Sequence, residues 1–108
     1  MLIKELTEKY GFEFLCGDSD KDIHGCYIGD LLSLAMSKVQ KDNIWLTIQS
    51  NINIVAVASL TEAGCITICE GFSPDEGVIE RAKQENITII KTDKSAYEIA
   101  RILVENNV

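Results

Sequence analysis

The sequence predicts an α/β domain of three layers, with helices on both faces of a mainly parallel sheet of four or five strands, and residues 1–108 forming one unit. Three observations predict it. Beyond Asn43 the chain alternates short β-branched runs with segments of helical character, in the order β-α-β-α-β-α. Helical crossovers between successive strands require a parallel, right-handed arrangement. The run Ile44–Ile48 shows little polar alternation, the mark of a strand buried on both faces. Finally, 108 residues is the length of one domain, and enough to bury a core without disulfides or metal.

Taken in order, Ile3, Leu6 and Tyr10 recur at helical spacing among charged residues, and Gly11 follows where a C-terminal glycine belongs. Phe12–Leu15 alternates as a short strand, and the polar stretch Gly17–Asp22 is a loop. Gly25 and Gly29 bracket a tight turn before a helix that Asp30 would cap, with Leu31, Leu32, Ala35, Met36 and Val39 on its apolar face. Ile52–Ala63 has no clean period. It is too long for a typical strand and Gly64 supplies a stop, so it is read as a helix, mostly buried because it carries so little charge. Cys65–Cys69 is the next strand. Ser73, Pro74 and Glu76 form a capping box with proline at the first helical position, opening a helix that runs to about Glu85. Ile87–Ile90 is a strand, and Ser95 with Glu98 opens the last helix, whose apolar face is Ala96, Ile99, Ala100 and Leu103.

Ten basic residues lie scattered among seventeen acidic ones, for a net charge of −7 and no basic run. Nucleic acid and anionic membrane, which are bound through lysine and arginine, are not expected partners. Lys4 and Glu5 follow Met1 too closely for an apolar leader, and Ile52–Leu60 is half the length needed to span a bilayer. The expected location is the cytoplasm, where thiols stay reduced. Cys16, Cys26, Cys65 and Cys69 include no CxxC pair. On a strand Cys65 and Cys69 would stand ~13 Å apart and could not share a metal ion. All four are read as small buried hydrophobes, and no cofactor is expected.

Motifs for catalysis are missing: there is no phosphate loop, no GxGxxG, no GxSxG and no HExxH. His24 is the only histidine and has no recognisable nucleophile beside it. The chain is therefore expected to be no enzyme. The glycines of Gly25–Asp30 let backbone N–H groups face outward toward an anion, although Asp30 would disfavour phosphate. In an open parallel sheet ligands settle beyond the strand ends. Those ends carry Gln49, Ser50 and Asn51, then Glu70 and Gly71, then Thr92, Asp93, Lys94 and Ser95. These groups recognise a ligand but do little to break bonds, and helix capping explains Asn51, Ser73 and Ser95 more economically.

The run Asp20–Ser33, with Trp45–Gln49, Asn53–Ala58, Pro74-Asp75 and Thr92–Ala96, resembles the DRTGG domain family over nearly the whole chain. Asp20 and Gly25 stand where the family has its Asp and first Gly, while Lys21, His24 and Cys26 replace its Arg, Thr and second Gly. A lysine grips a planar anion less specifically than an arginine does, and Cys26 restricts close backbone approach. The resemblance implies a stand-alone domain similar to those that accompany CBS domains in regulated pyrophosphatases and to the non-catalytic N-terminal domain of HPr kinase/phosphorylase. It implies a regulatory or scaffold role through self-association or a protein partner, or else a sensor of an adenine nucleotide or other phosphate ligand. The candidate ligand-binding residues are Asp20, His24, Gly25, Gly29, Asp30, Gln49, Asn51, Thr92 and Ser95. A homodimer is expected because the apolar residues from Leu31 to Val39 cover more than one helix face. Leu31, Leu34 and Ala35 are its candidate interface.

Overall fold

The computed structural model describes all 108 residues. Its five strands are β1 (Glu13–Cys16), β2 (Cys26–Ile28), β3 (Ile44–Thr47), β4 (Cys65–Ile68) and β5 (Ile89–Lys91). They form one sheet in the order β1-β5-β4-β3-β2. β2 through β5 are parallel, with Tyr27, Trp45 and Ile66 aligned across three of them, and β1 closes the far edge antiparallel to β5. The helices are α1 (Ile3–Tyr10), α2 (Leu32–Lys38), α3 (Asn53–Thr61), α4 (Val78–Gln84) and α5 (Ala96–Glu105). The three-layer α/β fold is as the sequence predicts.

Alternation along the strands builds two cores. Trp45, Ile66, Ile68 and Ile89 point to one face and meet Ala35 of α2, Ile54 and Val57 of α3, and Val78 and Ala82 of α4. Ile44, Leu46, Cys65 and Ile90 point to the other and meet Ile3 and Leu6 of α1 and Ile99 and Leu103 of α5. Three helices thus cover one face and two the other. β3 and β4 are buried at every position, which is why they read as unbroken apolar runs.

Several local expectations change. Gly25–Asp30 is no turn: its middle is β2, a three-residue strand too short to show a period. Asp30 does not cap α2, whose first residue follows Leu31 with no side-chain cap, because the Asp30 carboxylate is drawn into the end of β3. α3 ends on Glu62 in the left-handed conformation, two residues before Gly64. One side of α3 is open as well, with Ile52, Asn53, Ala56, Ser59 and Leu60 exposed, so it is half-buried where a mostly buried helix was expected. The Ser73-Pro74-Asp75-Glu76 box opens no helix. Its groups are taken by tertiary partners, Ser73 Oγ by Lys91 Nζ at 2.8 Å and the Asp75 N–H by the Ser50 carbonyl at 2.9 Å, and α4 begins at Val78. Cys26 is exposed, unlike the buried Cys16, Cys65 and Cys69.

The second capping box holds. Ser95 Oγ accepts the Glu98 N–H at 3.2 Å. Ser95→Ala is expected to cost about 1 kcal/mol, and urea unfolding measures it. Loss below ~0.3 kcal/mol would mean that the α5 N-terminus is held by packing alone.

Candidate functional site

The candidate residues fall at opposite ends of the sheet. Asp20, His24 and Gly25 lie where the parallel strands begin, and Gly29, Asp30, Gln49, Asn51, Thr92 and Ser95 lie where they finish. β2 separates the two groups by three residues, ~10 Å of chain.

At the starting end the motif residues are tied to α1, to Asp22 and to the loop before β3. Lys21 Nζ pairs with Asp42 Oδ1 at 2.6 Å, so the position held by arginine in the family serves an internal ion pair. This pairing holds the Asp42 carboxyl below its ordinary range. A depressed carboxyl stabilises the fold above its unfolded pKa, and the contribution disappears as pH falls through the folded value. Lys21→Met is accordingly expected to move the acid-unfolding midpoint upward, and an unchanged midpoint would show the pair to be inert. Asn43, buried, donates its amide to the His24 carbonyl at 2.9 Å and accepts the Gln40 N–H at 2.8 Å. Gly25 has φ 76° and sits so close to Asn43 that a Cβ would lie 2.7 Å from its Nδ2. That requirement, close packing in a left-handed conformation, is a structural reason for glycine here. Asp20 pairs with Lys4 at 3.0 Å on the surface, and the exposed His24 Nε2 lies 3.1 Å from Asp22 Oδ2.

At the finishing end the polar groups form a chain. Asp30 Oδ1 accepts the Thr47 hydroxyl and the Ile48 N–H, each at 2.8 Å. Gln49 donates its amide to the Asp30 carbonyl at 2.8 Å and accepts from Asn51 at 3.1 Å. Asn51 Oδ1 accepts the Asn53 N–H at 2.9 Å in the first turn of α3. The Gly29 carbonyl accepts Trp45 Nε1 at 2.9 Å. Thr92 Oγ1 accepts the Lys94 N–H at 3.2 Å, and Ser95 is occupied as the cap of α5. Beside this chain Ile28, Leu46, Ile48, Cys69 and Ala96 floor a cleft of about 220 Å³ rimmed by Asp30 and Glu70. Burial, with these two carboxylates nearby, pushes the Cys69 thiol up to about 11. The cleft is electronegative and has no cation in its lining, which disfavours a phosphate there.

No cluster of three or more His, Cys, Asp or Glu is placed to hold a metal ion. Ala35 is fully buried beneath α2 and unavailable to a partner, because the helix turns it inward against the core, whereas Leu31 and Leu34 are exposed. Sequence reasoning missed Ile28 and Ile48, which flank the cleft. The signal was the apolar Ile28 inside a glycine-bounded segment, which marks a strand with an uncovered side.

No helix is long and apolar enough to cross a membrane. None of the curated proteins matches the sequence. The fold is similar to that in the crystal structure of the CBS and DRTGG domains of the regulatory region of Clostridium perfringens pyrophosphatase, complexed with the activator diadenosine tetraphosphate. The TM-score is 0.77 at 16% identity, over 95% of this chain and 46% of that one. The chain thus spans about half the length of that neighbour, and at this identity the likeness is one of fold. The DRTGG domain profile matches residues 5–105, nearly the entire sequence, and the chain belongs to the DRTGG domain family.

Proposed function

We propose that the chain is a non-catalytic regulatory module acting through self-association or a protein partner, by the side of the molecule that carries α2 and the edge strand β2. One observation carries this reading. Ile28, Leu31, Leu34 and Met36 are 49%, 65%, 44% and 46% exposed, all between residues 28 and 36. Scattered exposed apolar residues are ordinary, but Ile28 on one face of the sheet and Leu31 and Leu34 on the other flank the same edge, and a partner seated on that edge would cover both. The strand-end polar groups support the same reading, since they bind each other and present no nucleophile with a base. Light scattering on a size-exclusion column at micromolar concentration is expected to give ~24 kDa for this 12.0 kDa chain. Leu34→Glu should halve that mass without unfolding the domain. A wild-type mass that stays near the monomer value at every concentration would overturn self-association.

A second reading is a sensor of an adenine nucleotide. It is supported by the neighbour's complex with diadenosine tetraphosphate. Diadenosine tetraphosphate at 100 times its Kd would add ~2.7 kcal/mol of stability, a shift of ten degrees or more in Tm at about 4–8 °C per kcal/mol. No shift at millimolar nucleotide would dismiss this reading.

A further inference from the structure

β2 is the outermost strand on its side of the sheet, and its outer rim is open. The Gly25 carbonyl accepts the Ile44 N–H at 3.0 Å, and the Gly29 N–H donates to the Leu46 carbonyl at 3.1 Å, so both face β3. A parallel ladder engages alternate residues. Tyr27, between them, therefore faces β3 as well, and Cys26 and Ile28 turn their N–H and C=O groups away from the sheet. No turn, loop or side chain of the protein takes up these groups. Proteins seldom leave such a rim bare, because it is a template for another strand.

We propose that a second copy of this chain occupies the rim, its β2 running antiparallel to the first about a two-fold axis through Tyr27. Two five-stranded sheets would then become one continuous sheet. The register follows from the backbone. With the axis at Tyr27, Cys26 lies opposite Ile28 of the partner subunit, and each such pair exchanges both hydrogen bonds, so every outward group on both strands is used. Centring the axis on Cys26 or Ile28 would leave some of them unpaired. Side chains agree with this arrangement. Cys26 and Ile28 share the face where only α1 and α5 lie, both are exposed there, and each would gain the other as its cross-strand neighbour. On the other face the ladder would carry each α2 toward its mate, bringing Leu31 and Leu34 with it. A three-residue ladder is short, and this apolar cover is what makes a stable pairing of it.

This inference rests on the self-association reading and is tested apart from it. In the wild-type dimer, amide hydrogen exchange read by NMR is expected to show Cys26 and Ile28 protected to within about tenfold of Tyr27. Ile28→Pro removes an N–H that faces outward, a position where a single chain tolerates proline. It is expected to be folded by far-UV circular dichroism and to elute at the monomer mass. A dimer whose Cys26 and Ile28 amides exchange at unstructured rates, or a folded Ile28→Pro that stays dimeric, would overturn the β2 pairing and leave self-association standing. A wild-type monomer at all concentrations would overturn both. Should Ile28→Pro fail to fold, the exchange rates decide alone.

Discussion

Trp45→Ala is expected to destabilise the domain by about 3–5 kcal/mol, a large share of the 5–15 kcal/mol typical of a native protein. Trp45 is fully buried in the middle of β3, in the core beneath α2, α3 and α4. It carries two contributions that alanine removes together. One is the ring's apolar surface, whose loss leaves a cavity that the rigid sheet cannot close. The other is the hydrogen bond from Nε1 to the Gly29 carbonyl at 2.9 Å, which fixes the chain as it leaves β2. Trp45→Phe separates them in large part, because it keeps most of the volume while losing the donor and one ring of the indole. Its expected cost is about 1–3 kcal/mol. Equilibrium urea unfolding followed by far-UV circular dichroism gives both values. A Trp45→Ala cost under ~1.5 kcal/mol would show that this side of the core readjusts far more easily than its packing suggests.

Gly17→Ala is expected to be nearly as damaging, at about 3–5 kcal/mol, combining backbone strain with overlap. Gly17 follows β1 with φ 105°, and a methyl group there would run into the backbone and side chain of Thr88. Thr88 cannot move aside cheaply: it is buried, and its Oγ1 accepts the Asp18 N–H at 3.0 Å. Gly11 is the control. It also has positive φ, 74°, but nothing lies within 4 Å of a Cβ built on it. Gly11→Ala should cost only about 1 kcal/mol. Equal losses at the two positions would mean that conformation alone sets the cost and that contact with Thr88 contributes nothing.

These positions differ in how legible they were. The parallel sheet was readable because β3 and β4, buried on both faces, must be apolar at every position, and because α1 and α5 carry their apolar residues at helical spacing. β2 was hidden: three residues between two glycines show no period, and its partner β3 lies in a different part of the sequence. Ser73 to Glu76 misled for the opposite reason. Local chemistry favours a helix there, but Lys91 and Ser50, brought near only by the fold, claim the groups that would have capped it. The motif Asp20–Gly25 was visible as a pattern. Its placement at the beginning of the strands, away from Asp30 and Gln49, depends on the direction of β2, which the pattern does not state.

The antiparallel edge has a consequence for synthesis. β1 finds its partner only in β5, with Glu13 opposite Lys91. During translation roughly 75 residues are added after β1 before that partner exists, some 4–15 s at about 5–20 residues per second. Through that interval Cys16 and the backbone of β1 have nowhere native to go, while β2, β3 and β4 can already associate with α2 and α3. A ribosome stalled before β5 would hold a half-built sheet with a loose strand at its front, a species open to wrong pairing or proteolysis. Protease resistance of the nascent chain is therefore expected to arise only once its last strand has slid into the gap between β1 and β4.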